Sequence, residues 1–495
     1  MCSLFCNFAR CNDLMKMQRL VMLLIGLLAA TVFQTAAAHS AVRQTKNKGG
    51  LSFIFRITLT DKQGTPYSLE HPTRFLSRRA VERRKRQGIA IDSTDLPVNP
   101  HYVRLLNKKD AHVIGQIRWQ NTVLVWVKDT MQMQPIDQLP FVKSRHLVWQ
   151  SPDSVTVDIR NKPQDHFDEY DKVATESYGK SSEQIRSLMG HRLHDIDYCG
   201  QGMMIAVIDG GFKNADRIPA IQQMDIRGWH DFVSPDNPHL FSETDHGTKV
   251  LSTMGVNVPY YYIGTAPKAC YWLLRSEDQQ SEQEVEEDYW AMAAEFADSV
   301  GCDLINSSLG YNEYDHIWMS HRLWELDGKA TFVSRSAAML ADKGIVMVNS
   351  AGNSGMGSWK KITIPGDADN VLTIGAVSPE EPHRIAPFSS IGPTQDGRIK
   401  PDLVAIGAPC YLVNGRGVII QDMGTSFAAP IVCGLTACLW QALPQLTAKE
   451  IIKLIRQTGN NVEHPDNVYG YGMPDFWKAL EKGKSGKWKE ESQQQ

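Results

Sequence analysis

The hydrophobic pattern of this chain changes character near residue 178. Before it, apolar positions come in short, partly alternating runs. LSFIFRITL (Leu51 to Leu59) predicts a strand, and TRFLSRRAVERRKRQG (Thr73 to Gly88) predicts a helix with glycine as its stop. Two β-rich runs follow, Val113 to Trp119 and Thr122 to Asp129, joined by Gln120-Asn121. A short helix around Met133 to Leu139 and a strand at Val142 to Gln150 complete the order β-α-β-β-α-β. That order predicts a small ferredoxin-like α+β unit. The polar stretch Ser151 to Thr175 reads as a linker.

After residue 178 the apolar runs become continuous. MMIAVID (Met203 to Asp209), CDLINSSLG (Cys302 to Gly310) and GIVMVNSAGN (Gly344 to Asn353) each end in polar residues and glycine. Helix-like segments such as Ser281 to Gly301 lie between them. Continuous apolar strands alternating with helices predict an α/β fold around a mainly parallel sheet covered on both faces. In such sheets functional residues gather at the carboxyl ends of the strands. A last apolar helix is predicted in GTSFAAPIVCGLTACLW (Gly424 to Trp440), with Ser426 at its start and Pro430 inside it. A serine there has an ordinary reading as a helix cap, so its neighbours in space must decide its role. The segment after about residue 482 is charged and predicted to be disordered.

Length and composition narrow the picture. The 495 residues call for more than one domain. The net charge of −3 gives no reason to expect nucleic acid or an anionic membrane as partner. Lys16 and Arg19 precede the apolar run Leu20 to Phe33, and Ala36-Ala37-Ala38 follows it. This is the order of an export signal, and residues 1–38 are set aside as one. No later segment reads as a membrane span, so the mature protein is expected to be exported, secreted or periplasmic. Cys2, Cys6 and Cys11 lie at the extreme N-terminus, and the other six of the nine cysteines show no metal-binding spacing. Cys302, Cys433 and Cys438 sit in apolar runs and are expected to be buried thiols.

Three residues in motif-like settings supply the parts of a nucleophilic site. Asp209 ends the first continuous strand, His246 starts the helix-like HGTKVLSTMG, and Ser426 opens the last long helix. A nucleophilic serine needs a base within hydrogen-bond reach and a carboxylate to orient that base. The chain order Asp, His, Ser differs from Ser, Asp, His of the α/β-hydrolases, and no GxSxG elbow surrounds Ser426. A dinucleotide-binding reading fails because VIDGGFKNA lacks the GxGxxG fingerprint.

The Asp, His, Ser order is that of subtilisin. VIDGG (Val207 to Gly211), HGTKV (His246 to Val250), GTAPKA (Gly264 to Ala269), INSSLG (Ile305 to Gly310), SAGNSG (Ser350 to Gly355), FSSIGP (Phe388 to Pro393), KPDLVAIG (Lys400 to Gly407) and GTSFAAP (Gly424 to Pro430) follow one another. In sequence and order they resemble the motifs of the subtilase family of serine peptidases, over roughly Tyr178 to Leu480. The resemblance implies a subtilisin-like three-layer fold and serine endopeptidase activity through an acyl-enzyme. It implies Ser426 as nucleophile, His246 as general base and acid, Asp209 as its support, and Asn353 as oxyanion donor with the backbone N–H of Ser426. Ser308, Leu309 and Gly310 would pair with extended substrate, and with Ser350, Ala351 and Gly352 would mark the pocket. A non-catalytic, peptide-binding member of the fold is the alternative.

The resemblance also sets expectations about partners and ions. A secreted subtilase carries an N-terminal prodomain that aids folding and inhibits until it is cut away, a place residues 39–165 with their linker would fill. Residues 166–482 would be the catalytic domain, and 483–495 a tail. No cofactor is required; a structural calcium ion is compatible with the family but not readable from the sequence. The interval Asn257 to Gly264, where relatives often carry a calcium loop, holds no carboxylate. Two further departures are Gly210, where Ser or Thr usually follows the catalytic Asp, and Lys249 in place of a non-catalytic histidine. The basic helix with Arg74, Arg78, Arg79, Arg83, Arg84, Lys85 and Arg86 reads either as a solvated face or as a docking face. The acidic segment with Glu282, Glu284, Glu286, Glu287, Asp288 and Glu295 is its candidate counterpart.

Overall fold

The computed structural model describes residues 42–46, 51–107, 111–152, 154–158 and 175–486. Residues 1–38, read above as an export signal, and the last nine residues lie outside them. Strand β1 (Val42–Lys46) pairs antiparallel with β6 (Ser154–Asp158), Val42 opposite Asp158 and Lys46 opposite Ser154. The stretch expected to be a plain linker therefore holds a strand, and the pair forms a unit of its own.

The N-terminal α+β unit is a four-stranded antiparallel sheet in the order β3 (His112–Ile117), β4 (Thr122–Val127), β2 (Phe53–Leu59), β5 (Val142–Gln150). This is the ferredoxin-like arrangement that the element order predicts. The basic helix α1 is shorter than expected, Arg78–Arg86, because Ser77 caps it by accepting from the Ala80 N–H. A second helix, α2 (Pro100–Leu106), escaped the sequence reading; Asn99 caps it and Pro100 starts it. The expected short helix is a 3-10 turn, Thr130–Met133, followed by α3 (Gln134–Asp137).

The larger unit is built on a seven-stranded sheet. Its strands are β7 (Met204–Asp209), β8 (Asp225–Asp231), β9 (Cys270–Arg275), β10 (Leu304–Ser307), β11 (Val346–Ser350), β12 (Val371–Val377) and β13 (Leu403–Ile406). The spatial order is β13-β12-β11-β10-β7-β9-β8, and every neighbouring pair is parallel. The chain first places β8 at one edge and β9 between it and β7, then crosses to the other side, so β7 and β10 flank the point where strand order reverses. Helices α4 (His246–Gly255), α7 (Thr425–Ala442), α8 (Ala448–Arg456) and α9 (Phe476–Ser485) cover one face; α5 (Val285–Val300) and α6 (Phe332–Asp342) cover the other. Helix α9 runs past the expected start of the disordered tail and buries Gly483.

Helix α7 is apolar all round because it is buried all round. It is the one described helix long and apolar enough to cross a membrane, and 89% of that window lies inside the fold. All six described cysteines are buried free thiols, which extends the expectation for Cys302, Cys433 and Cys438 to Cys199, Cys270 and Cys410.

The N-terminal α+β unit and the unit built on the seven-stranded sheet share a core. On β2, Ile54 joins the cluster of α5 and α6, while Phe55 and Ile57 face the small unit's own core. That is the period of two expected of a strand buried on both faces. Around this apolar contact lies a ring of arginines. Arg83 and Arg84 of α1 are almost fully buried, and both pair with Asp298, as does Arg118 at 2.8 Å. Arg79 and Arg86 pair with Asp303. Arg56 pairs with Asp288 and, at 3.2 Å, with Glu284. Glu295 accepts the backbone N–H groups of Arg118 at 3.0 Å and Trp119 at 2.8 Å. The basic helix is thus a docking face. Its acceptors are Asp298 and Asp303, which follow the acidic segment expected to receive it.

Candidate active site

Five segments converge at the carboxyl edge of the sheet. Strand β7 ends at Asp209, β10 at Ser307 and β11 at Ser350; α4 begins at His246 and α7 at Thr425. The close approach of α4 to β7 depends on Gly247. A Cβ there would stand 2.5 Å from the Gly211 carbonyl and 2.9 Å from Asp209 Cβ.

Asp209 is fully buried, and its carboxylate accepts from His246 Nδ1 at 2.8 and 3.0 Å. That contact fixes the imidazole with Nδ1 inward, while 31% of the His246 side chain stays exposed. Burial disfavours the imidazolium, but the charge and hydrogen bond of Asp209 outweigh it and hold the His246 pKa above its ordinary value. The hydroxyl missing at Gly210 is replaced by backbone: the Gly210 N–H donates to Asp209 Oδ1 at 2.8 Å. Arg275 Nε donates to the Gly210 carbonyl at 3.3 Å, and its guanidinium is clamped by buried Asp231. Lys249, the other departure, pairs with Asp245 and Asp422 at 3.3 and 3.1 Å.

Ser426 and Ser308 hold each other. Ser308 Oγ donates to the Ser426 carbonyl at 2.8 Å, and Ser426 Oγ donates to the Ser308 carbonyl at 3.2 Å. The first of these bonds explains Pro430. Four residues after Ser426, proline offers no N–H to that carbonyl, which leaves it for Ser308. The resting Ser426 hydroxyl thus donates to the Ser308 carbonyl. The Ser426 N–H belongs to the first turn of α7, whose amides have no helical partner.

Asn353 sits across the mouth of α7. Its Oδ1 accepts from both the N–H and Oγ1 of Thr425, each at 3.0 Å. This fixes the amide so that Nδ2 remains as the outward donor on an exposed residue. Gly352 has φ +100°, a conformation that favours glycine, and its N–H donates to Thr425 Oγ1 at 3.2 Å. Ala351 is anchored to the sheet through Ile374 O at 2.9 Å, and Ser350 is buried. Beyond Ser308, Leu309 is half-buried and Gly310 exposed. All ten predicted site residues therefore lie along one edge. Thr425, Arg275 and Asp231 were missed. The signal available for the last two was a charge closing each of two neighbouring strands.

A family model of the subtilase family matches residues 200–472, more than half of the 495 residues. The chain belongs to the subtilase family of serine peptidases. A second family model, the peptidase S8 propeptide domain of Bacteroidota, matches residues 55–166 of this subtilase. The serine protease AprX of Bacillus subtilis (strain 168) is 27% identical over 303 residues, 55% of this chain and 65% of that protein. The match thus spans just under two thirds of that relative. Subtilisin E of the same strain is 24% identical over 319 residues, 64% of this chain and 75% of that protein. Subtilisin DY of Bacillus licheniformis is 26% identical over 280 residues, 56% of this chain and 90% of that protein.

Proposed function

We propose that this subtilase is an exported serine endopeptidase, made as a self-processing precursor, that hydrolyses peptide bonds through an acyl-enzyme. The observation that carries this reading is the Asp209–His246 contact at the strand edge where α7 presents Ser426. Asp209 keeps Nδ1 protonated, so Nε2 is the free base. It takes the Ser426 proton as Oγ attacks the scissile carbonyl, then gives that proton to the leaving amine. Asn353 Nδ2 and the Ser426 N–H receive the oxyanion, and the α7 N-terminus favours the negative charge. A water then attacks the ester with His246 again as base. The open edge Ser308–Gly310 receives substrate as an added strand, with Ser350–Gly352 on the facing side.

The small N-terminal domain acts as folding aid and inhibitor until it is cleaved, and residues 39–165 are its proposed extent. The reading of residues 1–38 as an export signal supports a secreted or periplasmic location. Neither nucleic acid nor a cofactor has a part in this mechanism. A fluorophosphonate probe tests the reading. Mature protein should be labelled once, and Ser426→Ala should abolish both labelling and self-processing. Absence of labelling in folded, mature protein would instead favour the non-catalytic peptide-binding alternative.

A further inference from the structure

Three carboxylates meet where β9 runs into α5. Glu277 and Glu282 lie in the connection and Glu286 in the first turn of the helix. One carboxylate oxygen from each lies within 4.8 Å of the other two. Glu286 is 1% exposed and Glu277 9%. Glu286 is held by the Asp278 N–H, which donates to its Oε1 at 2.7 Å. Its Oε2 is buried with no hydrogen-bond partner. Glu277 Oε1 accepts from Tyr311 at 2.6 Å and from Ser276 Oγ at 3.0 Å, which does not neutralise it. Asp278 and Asp315 add negative charge beside the group, and Asp315 accepts the Glu282 N–H at 3.1 Å.

The surroundings supply no counter-charge. Among the described residues, no lysine, arginine or histidine forms an ion pair with any of the three. Three acids of α5 and its approach do have one: Glu284 has Arg56 and His146, Asp288 has Arg56, and Glu287 has His321. Burial, and after it the repulsion of neighbouring carboxylates (Asp315 and Asp278 in the case of Glu282), accordingly hold Glu277, Glu282 and Glu286 above the ordinary carboxylate range.

We propose that Glu277, Glu282 and Glu286 form a binding site for a divalent cation of the calcium type. Three oxygen donors without nitrogen or sulfur suit a hard cation. Oxygens sharing a calcium ion at about 2.3–2.6 Å stand at most about 5 Å apart, as these do. The ion would also give the orphan oxygen of Glu286 its partner. A basic side chain of a bound peptide is also positive, but with a single charge, and an oxygen this deeply buried suits a bare ion.

The location gives the ion work to do. The Ser276 N–H donates to the Asp209 carbonyl at 3.1 Å. Tyr311, which holds Glu277, directly follows Ser308–Gly310. In the same connection, Ser281 and Gln283 bond Trp149 and Gln150 of the propeptide domain. One ion would therefore brace the turn behind the catalytic carboxylate, the substrate edge and the propeptide seat.

The test uses the full chain with Ser426→Ala, which keeps it as one precursor, stripped with chelator and titrated with calcium chloride. Calorimetry should read one saturable event that releases protons to the buffer and weakens from pH 8 to pH 6, because ligand carboxylates must be ionised. Calcium should raise the Tm. Glu286→Gln and Glu282→Gln should each weaken binding at least tenfold and remove the calcium-dependent part of the Tm shift. Glu282 is exposed, so its variant keeps the fold if the buried one does not. Binding unchanged in Glu282→Gln, or no binding by about 10 mM calcium, overturns the proposal. So does a calcium-insensitive enzyme whose preference for lysine- or arginine-containing peptides is lost in Glu282→Gln; the cluster would then be a substrate pocket.

Discussion

Asp209 and Asp298 are both fully buried carboxylates with basic partners, yet the two are held in opposite ways. Asp209 meets a single imidazole at the cleft. Asp298, on the propeptide side, meets the guanidinium groups of Arg83, Arg84 and Arg118. Burial pushes the Asp298 carboxyl up, but those three charges outweigh it and hold its pKa below the ordinary value. A guanidinium does not release its proton, so that network is a fixed electrostatic lock. An imidazole gains and loses its proton near neutrality, so the cleft pair can serve as a proton carrier. The partner decides whether a buried carboxylate belongs to chemistry or to assembly.

Exchanging the carboxylate for an amide at each site separates these roles. Asp209→Asn is expected to lower kcat by about 10⁴, through the wrong imidazole tautomer, and to leave inhibition by the propeptide domain in trans unchanged. Asp298→Asn is expected to leave the kcat of the mature enzyme unchanged. It should weaken that inhibition by about 3–5 kcal/mol, because it strips charge from a buried network. If both variants changed kcat equally, the division between chemistry and assembly would fail.

Asn353→Ala sharpens the cleft side. Loss of one oxyanion donor is expected to remove about 2.7–4 kcal/mol of transition-state stabilisation, in kcat more than in KM. The pH profile probes the same side more gently. His246 must be neutral to accept the serine proton, and its pKa is raised. The acid limb of kcat/KM should therefore have its midpoint above 6.5, and lie lower in any residual activity of Asp209→Asn. Below the midpoint, each pH unit should cost about tenfold. The smallest effect is expected at Lys85, which is exposed on α1 between its buried neighbours and the half-exposed Arg86. Lys85→Ala should change propeptide inhibition by about 0–1 kcal/mol, and salt should erase the difference.

The parts of the fold legible in the sequence were those with a strong local signal. Continuous apolar runs marked β7, β10 and β11, and the polar residues ending them marked the edge where Asp209, Ser308 and Ser350 stand. Helix α2 was not legible, because its seven residues are too short for a clear period. The strand Ser154–Asp158 looked like linker because its alternation, Val155 and Val157, is only two apolar residues long in a polar stretch, and its partner lies more than a hundred residues earlier.

The acidic residues of α5 and its approach show where local reading stops. From the sequence, Glu282 through Glu295 look like one acidic face. In the structure Glu284, Asp288 and Glu295 meet the propeptide domain, Glu287 turns to His321 and Tyr314, and Glu282 and Glu286 join Glu277. Residue type and order alone determined the chemistry available: a serine, a histidine, an aspartate and an amide in motif settings, and a basic helix with acidic counterparts. Tertiary structure alone decided which carboxylate meets which cation, that Pro430 leaves a carbonyl for Ser308, and that Thr425 turns the Asn353 amide outward. Local sequence fixes which groups a segment can offer. Partners tens to hundreds of residues apart meet only when packing brings their elements together, and burial then sets the strength of each charge.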